Sequence, residues 1–156
     1  MDERLNRDHL DLLRAFSDAD VRFLVVGAHA VGYHAQPRAT GDLDVWIEAT
    51  PENARRAHGA LATFGAPLLD LSVEDLATPG VVFQMGLPPN RIDVLTEISG
   101  VDFTEAWATR SEATVAGLKI PIIGFDCLLA NKRAAGRPKD VGDIDALERA
   151  AKRRRR

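Results

Sequence analysis

Two aspartates separated by one residue lie in the segment 40–47, which otherwise has the composition of a β-strand. Asp42 and Asp44 occupy positions i and i+2, so both side chains leave the same face of a strand, with their Cα atoms roughly 6.6 Å apart. Leu43 and Val45 leave the opposite face and can enter a core. Two carboxylates this close repel each other, and a hard cation such as Mg²⁺ relieves the repulsion. The pair therefore predicts a divalent-metal site.

A third aspartate, Asp93, lies between Ile92 and Val94 in another predicted strand. Three aspartates on adjacent strands can hold two divalent ions about 3.5–4 Å apart, an arrangement that activates a hydroxyl and stabilises a phosphoryl transition state. A solvated sheet face would carry the same carboxylates. The functional interpretation therefore depends on the turn that precedes the aspartate pair.

That turn runs directly from a predicted strand into a predicted helix. The strand ends at Gly27, and Ala28 and His29 open the helix. Backbone N–H groups at a helix start form an anion site, and a glycine lets a phosphate approach closely. An ordinary strand-to-helix turn has the same appearance, so the turn indicates phosphate binding only together with the aspartates.

Other phosphate and metal motifs are excluded. Gly27 and Gly32 have the glycine spacing of a P-loop, but Tyr33-His34 stands where that motif has Lys-Ser/Thr, and no Gly-x-Gly-x-x-Gly is present. No histidine pair has the spacing of a zinc site. The single cysteine, Cys127, excludes an internal disulfide and a cysteine zinc cluster.

The remaining histidines and one tryptophan have less specific interpretations. His29 can serve a phosphate at the helix start or act as a capping residue. We expect His34 to be a surface or capping residue, and His9 and His58 to be solvated on helices. Trp46 shares the predicted face of the aspartates, where it can stack a base or, as we expect, pack.

Periodicity and turn residues predict an α+β (mixed α/β) domain with helices packed on a mixed sheet. The predicted helices span residues 3–19, 28–36, 51–64, 73–77, 102–110, 125–135 and 141–151. The predicted strands span 22–26, 42–48, 81–85 and 92–98, with a weaker pair at 114–115 and 118–123. The prolines at 88 and 89 predict an antiparallel hairpin between the third and fourth strands.

Length and charge predict one domain over residues 1–151, followed by a basic C-terminal tail over 152–156. The chain of 156 residues has a net charge of −3, and because its last five residues carry five positive charges, the other 151 carry −8. This distribution is not that of a protein that coats nucleic acid. The tail can contact RNA phosphates, but we expect a solvated end. With no apolar signal core and no membrane-length apolar run, we expect a cytoplasmic protein.

The ordered motifs resemble those of the nucleotidyltransferase superfamily, which includes DNA polymerase beta and the aminoglycoside nucleotidyltransferases. The resemblance rests on Val26-Gly27-Ala28, then Asp42-Leu43-Asp44-Val45 after thirteen further residues, and Asp93 on a later strand. The segment 38–44 resembles the Arg-x-Thr-x-Asp-hydrophobic-Asp signature of the AbiEii-type toxin nucleotidyltransferases. The segment 131–140, with a following aspartate, resembles their small relatives. The likeness covers residues 22–148 and implies the nucleotidyltransferase fold, a mixed and mostly antiparallel sheet with helices packed on it.

The resemblance also implies roles for individual residues. Asp42 and Asp44 would bind two Mg²⁺ ions and the nucleoside triphosphate. Asp93 would complete the second metal site and help deprotonate the incoming hydroxyl. The turn at Gly27, with Ala28 and His29, would contact the β- and γ-phosphates. The cations beside the triphosphate would be Arg38, Lys132, Arg137 and Lys139, with Thr40 flanking it.

The implied activity is Mg²⁺-dependent transfer of a nucleoside monophosphate from a nucleoside triphosphate to a hydroxyl of a macromolecule. The acceptor would be a tRNA 3′ end or a side chain of a partner protein, in a toxin–antitoxin or phage-defence setting. Ala28 stands where the superfamily has serine or glycine, which leaves a second interpretation: a non-catalytic binding or antitoxin module with the same fold. A metal-dependent nuclease or phosphohydrolase is a third, because carboxylate clusters serve those reactions too.

Overall fold

The structure, a computed structural model, describes residues 5–35 and 41–154. The helices in these residues are α1 (Arg7–Asp18), α2 (Gly27–His34), α3 (Pro51–Phe64), α4 (Val73–Leu76), α5 (Phe103–Ala108), α6 (Phe125–Ala135) and α7 (Asp140–Arg154). The strands are β1 (Phe23–Val26), β2 (Leu43–Ile47), β3 (Val82–Met85), β4 (Ile92–Leu95), β5 (Ser111–Val115) and β6 (Leu118–Ile122).

The strands form one mixed sheet in the order β3-β4-β2-β1-β6-β5. The pairs β1–β2, β3–β4 and β5–β6 are antiparallel, and the pairs β1–β6 and β2–β4 are parallel. The predicted α+β class, the hairpin of the third and fourth strands and the pairing of the last two strands are confirmed. Each of the two parallel pairs joins strands that are distant in sequence, β1 with β6 and β2 with β4.

Helices cover both faces of the sheet. Phe23 of β1 meets Phe16 of α1 edge-on, with ring centroids 5.5 Å apart. Trp46 of β2 meets Phe103 of α5 in the same manner at 4.9 Å. Because Phe23 pairs with Ile47, the neighbour of Trp46, alternation along the strands puts these two contacts on opposite faces. Trp46 is buried, so its expected packing role is confirmed.

Local capping explains where several helices begin and end. The Thr50 side chain accepts a hydrogen bond from the backbone of Asn53 at the start of α3, and Gly65 ends this helix with a left-handed φ of 97°. Ser72 and Asp75 form a reciprocal capping box at α4. Asn6 caps α1, which is why this helix begins after the predicted residue 3.

Several elements differ in length from their predicted spans, among them α2, β4 and α7. Helix α2 ends at His34, and β4 ends at Leu95, where the next residue, Thr96, binds the backbone of Thr78 through its hydroxyl at 2.7 Å. Helix α7 continues through the first three residues of the basic terminus, which we expected to be a solvated end. Arg154 donates to the His34 carbonyl at 3.3 Å and lies 5.0 Å from the centre of the Phe125 ring.

Two histidines that we expected at the surface are buried. His9 lies on the same stripe of α1 as Leu12, Leu13 and Phe16, and its ring is fully enclosed. His34 is also buried, where its Nε2–H donates to the carbonyl of Ile123 at 2.7 Å. Burial lowers the pKa of both imidazoles, which favours their neutral form. In residues 5–35 and 41–154, no helix is long and apolar enough to cross a membrane.

Candidate active site

The turn between β1 and α2 forms one wall of the candidate site. Gly27 has a φ of 66°, a left-handed conformation that side chains other than glycine rarely adopt. The Asp44 carboxylate lies directly over its Cα, so a Cβ at this position would overlap the carboxylate. Both the backbone conformation and this close approach therefore require a glycine, and Gly27 and Ala28 line the cleft beside Asp44.

Strand register brings two of the predicted aspartates together. Asp44 pairs with Val26 on one side and with Asp93 on the other, so the two carboxylates project side by side from neighbouring parallel strands. Burial and the neighbouring Asp93 carboxylate raise the pKa of Asp44 to about 6, and Lys132 acts in the opposite direction. The raised pKa marks a carboxylate that is partly removed from water and lies beside a second carboxylate.

Asp42 is held at the edge of the site by Arg91, the residue that precedes β4. The backbone N–H of Arg91 donates to Asp42 Oδ1 at 2.9 Å, and its guanidinium lies 3.8 Å from Asp42 Oδ2. The same guanidinium forms an ion pair with Asp93 Oδ1 at 2.9 Å. Arg91 therefore lies between two of the three carboxylates.

A buried ionic cluster forms the opposite wall. Lys132 of α6 lies 3.3 Å from an Asp140 oxygen and 3.2 Å from an Asp143 oxygen, and all three side chains are almost fully buried. Burial alone would raise the pKa of Asp140, but hydrogen bonds from Arg137 and Lys132 outweigh it and lower this pKa to about 2. The cluster fixes the Lys132 ammonium close enough to Asp44 to influence its titration.

Eight of the predicted site residues line a single cleft of about 500 Å³. They are Gly27, Ala28, Asp42, Asp44, Asp93, Lys132, Arg137 and Lys139. Arg38 and Thr40 lie outside the described residues. His29 does not line the cleft, because its ring is fully buried and packs edge-on against His9 with centroids 6.0 Å apart. We therefore leave His29 out of the candidate site.

Three further residues at this site were not predicted as functional. Arg91, Asp140 and Asp143 all line the cleft. The signal for Arg91 was its position two residues before Asp93, which places both side chains on one face of an extended chain. Asp140 belongs to the segment 131–140 that carries the resemblance, and Asp143 is the aspartate that follows it. The separation of eight residues between Lys132 and Asp140 gives no indication of their contact.

The carboxylates have the chemistry of a divalent-metal site, although they are not fully convergent. Oxygen ligands on adjacent strands, the raised pKa of Asp44 and the adjacent backbone N–H groups all suit Mg²⁺ with a bound phosphate. Within the described part of the chain, no three histidine, cysteine, aspartate or glutamate side chains are arranged to hold a metal ion. Asp42, Asp44 and Asp93 would therefore have to move closer together to share one.

Comparison with known proteins gives matches at the level of structure. No protein-family model and no curated protein matches the sequence. TM1012 from Thermotoga maritima, which is named a nucleotidyltransferase, superposes with a TM-score of 0.56 at 14% identity, and 96% of each chain is covered.

Two antibiotic-modifying enzymes also superpose. The lincosamide adenylyltransferase LnuA, solved with lincomycin, gives a TM-score of 0.54 at 13% identity, with 93% of this chain and 98% of that chain covered. ANT(2'')-Ia, solved with adenylyl-2''-tobramycin, gives a TM-score of 0.55 at 14% identity, with 88% of this chain and 84% of that chain covered. The fold implied by the sequence motifs is thereby confirmed: this chain has the nucleotidyltransferase fold.

Proposed function

We propose that the protein is a nucleotidyltransferase that uses Mg²⁺ to move a nucleoside monophosphate from a nucleoside triphosphate to an acceptor hydroxyl. The observation that carries the proposal is the strand register. It sets Asp44 beside Asp93 and against the turn at Gly27. Few functions other than binding a cation and a phosphate would keep partly buried carboxylates so close together.

In this proposal, each of the carboxylates has a role. Asp42 and Asp44 would hold Mg²⁺, Asp93 would complete a second metal site, and the metal would supply positive charge to the triphosphate and to the attacking oxygen. The acceptor oxygen forms a bond to the α-phosphorus while the bond to the bridging oxygen breaks and pyrophosphate leaves. Asp93 takes the proton of the acceptor hydroxyl.

The cations of the cleft would bind the triphosphate. Lys132 is buried against Asp140 and Asp143, so its ammonium is held in place before the nucleotide arrives, which reduces the entropy lost on binding. Arg137 and Lys139 line the same cleft and are more exposed. The backbone N–H groups at Gly27 and Ala28 would contact the β- and γ-phosphates at the start of α2.

For the acceptor, we propose a hydroxyl of a macromolecule, either a tRNA 3′ end or a side chain of a partner protein. The AbiEii-type resemblance supports this choice and suggests a toxin–antitoxin or phage-defence setting. The structural neighbours suggest another class, since LnuA was solved with lincomycin and ANT(2'')-Ia with an adenylylated tobramycin. Small hydroxylated antibiotics therefore belong in the same experiment.

The test is transfer of label from each α-³²P-nucleoside triphosphate in the presence of Mg²⁺. Separate reactions contain total tRNA, cell protein, lincomycin or tobramycin. The wild type is compared with an Asp42→Ala/Asp44→Ala variant and with an Asp11→Ala/Asp145→Ala control, which removes two exposed carboxylates elsewhere. We expect label on one acceptor class with the wild type and the control only. Equal labelling by the Asp42/Asp44 variant would disprove the proposal.

A second candidate function is a non-catalytic binding module. Two observations favour it: Ala28 has no hydroxyl for a phosphate, and the described carboxylates are not arranged around a shared metal position. A module of this kind would transfer no label to any acceptor, and its melting temperature would not respond to Mg²⁺ with any nucleoside triphosphate.

A further inference from the structure

Arg91 already occupies the place of a cation between two carboxylates. Its guanidinium is 2.9 Å from Asp93 Oδ1 and 3.8 Å from Asp42 Oδ2. A guanidinium is always charged and pairs well with carboxylates, so it neutralises part of the charge that a divalent ion would otherwise meet.

In this position the guanidinium competes with a metal ion for Asp42 and Asp93. Asp42 and Asp93 both contact the guanidinium, and the Asp93 carboxylate also lies against that of Asp44. Within the described residues, no trio of potential metal ligands is formed. A metal ion that used Asp42 and Asp93 would therefore first have to displace the guanidinium.

The guanidinium has room to leave. The Arg91 side chain is 31% exposed, compared with 11% for Asp93, and it borders the cleft that also contains Lys132. A triphosphate in that cleft would offer it new anionic oxygens within reach of a side-chain rotation. The backbone N–H of Arg91 would keep its contact with Asp42 Oδ1 during that movement.

We propose that Arg91 is a displaceable counter-ion that keeps Asp42 and Asp93 from binding a divalent ion until a nucleotide draws the guanidinium onto its phosphates. Metal and nucleotide then bind with positive coupling, because each favours the arrangement in which Arg91 has left the carboxylates. This inference rests on the proposed function, since it assumes that the cleft accepts a nucleoside triphosphate.

The test measures the dissociation constant of Mn²⁺ by the electron paramagnetic resonance signal of the free ion, without acceptor and without turnover. Arg91→Met removes the guanidinium and keeps most of the chain length. Arg133→Met is the control, because Arg133 forms an exposed ion pair with Glu148 at a similar distance, 2.9 Å. We expect Arg91→Met to bind Mn²⁺ about tenfold more tightly than the wild type. The Arg133→Met control should change the affinity less than twofold.

Arg91→Lys separates the specific contact from the charge. Lysine keeps the positive charge but cannot reach both carboxylates with a planar fork. We expect this variant to bind Mn²⁺ about threefold more tightly than the wild type, and it serves as the main test if circular dichroism shows that Arg91→Met is unfolded. Unchanged or weaker Mn²⁺ binding in the folded variants would overturn the proposal and leave Arg91 a structural ion pair.

The same measurement is repeated with an α,β-methylene nucleoside triphosphate, which cannot be cleaved at the reacting bond. In the wild type the analogue should tighten Mn²⁺ binding by more than about tenfold, and in Arg91→Met by a clearly smaller factor. If the analogue tightens Mn²⁺ binding by the same factor in the wild type and in Arg91→Met, Arg91 does not couple the two ligands, and the proposal is overturned. An analogue that binds neither protein, as judged by melting temperature, would instead contradict the proposed function itself.

Discussion

At the scale of single residues, Asp44 is expected to carry a charge that lowers the stability of the fold. Its pKa is raised to about 6, first by burial and then by Asp93. In the unfolded chain an aspartate ionises near pH 3.9. Above about pH 6 the charge is therefore present in both states but is less favourable in the folded one, by about 1–3 kcal/mol.

We expect Asp44→Asn to raise the melting temperature of the metal-free protein at about pH 8, while abolishing nucleotidyl transfer. The gain should shrink as the pH falls from about 6 to 4, because wild-type Asp44 is then protonated in the folded state and finally in both states. Thermal unfolding in a chelator across this pH range is the measurement. Asp11→Asn, at an exposed position of α1, is the control, and a variant less stable than the wild type at pH 8 would contradict the assignment.

The placement of a side chain could be predicted from the sequence where it depends on residues nearby in the chain. The spacing of Asp42 and Asp44 fixed their common face, and the structure places both in one cleft. The contact of Asp42 with Arg91 joins residues 49 positions apart, and local spacing contains no information about such a pair. His9 was misjudged for a different reason: it fits the apolar stripe of α1, but a histidine there was assumed to face water.

At the scale of elements, the approach of β1 and α2 to β2 depends on Gly27. Alanine at this position would be strained by the positive φ, and its Cβ would overlap the Asp44 carboxylate. Gly117 is a matched control, because its φ of 77° is similar but nothing lies within 4 Å of the position that a Cβ would take there. We expect Gly117→Ala to lower stability by about 1 kcal/mol and Gly27→Ala by about 2–3 kcal/mol.

The two glycine variants are compared by urea denaturation and by nucleotidyl transfer. Because Gly27→Ala would push Asp44 out of register with Asp93, we expect transfer to fall at least about a hundredfold, while Gly117→Ala retains it. If both variants lose the same stability and keep their activity, the close approach at Gly27 has no part in the site.

Helices α6 and α7 are joined by the ion cluster of Lys132 and Asp140. Hydrogen bonds from Arg137 and Lys132 outweigh burial and hold the pKa of Asp140 at about 2. This lowered pKa contributes stability that is complete above about pH 4 and is lost as the pH falls toward 2. We expect Asp140→Asn to lower the free energy of unfolding at pH 7 by about 2–4 kcal/mol, because it leaves buried positive charge without a full partner.

The pH dependence distinguishes this electrostatic role from simple packing. The stability difference between the wild type and Asp140→Asn should decrease between about pH 4 and 2, as measured by urea denaturation at several pH values. Asp145→Asn, at an exposed position of the same helix, should leave the free energy of unfolding almost unchanged at every pH. A difference that stays constant down to pH 2 would show that the shape of the side chain, rather than its charge, matters.

Elements with strong local signals could be predicted to within a few residues, and their pairing only in part. Pro51 after Thr50 and the glycine at 65 defined α3 fully, because capping and helix termination are local events. The hairpin of β3 and β4 followed from the turn residues between the two strands, among them the prolines at 88 and 89. The parallel pairing of β2 with β4, which creates the contact of Asp44 with Asp93, depends on the packing of the whole sheet.

At the scale of the whole molecule, one cleft contains the carboxylates, the start of α2 and the buried lysine, so a nucleotide bound there would contact several parts of the fold at once. Such a ligand binds the folded state and not the unfolded chain, and a hundredfold excess over its dissociation constant adds about 2.7 kcal/mol to the stability. For a chain of this length we expect about 1 mM Mg²⁺ with the preferred nucleoside triphosphate to raise the melting temperature by about 5–10 °C.

Differential scanning fluorimetry with the four nucleoside triphosphates, each with and without Mg²⁺, measures this effect. The Asp42→Ala/Asp44→Ala variant should lose the Mg²⁺-dependent part of the shift, whereas the Asp11→Ala/Asp145→Ala control should keep it. An equal shift in the Asp42/Asp44 variant would place the nucleotide away from these carboxylates. If no nucleotide shifts the wild type, the fold serves a binding module without nucleotidyl transfer, because an enzyme that uses a triphosphate must stabilise its folded state when it binds one.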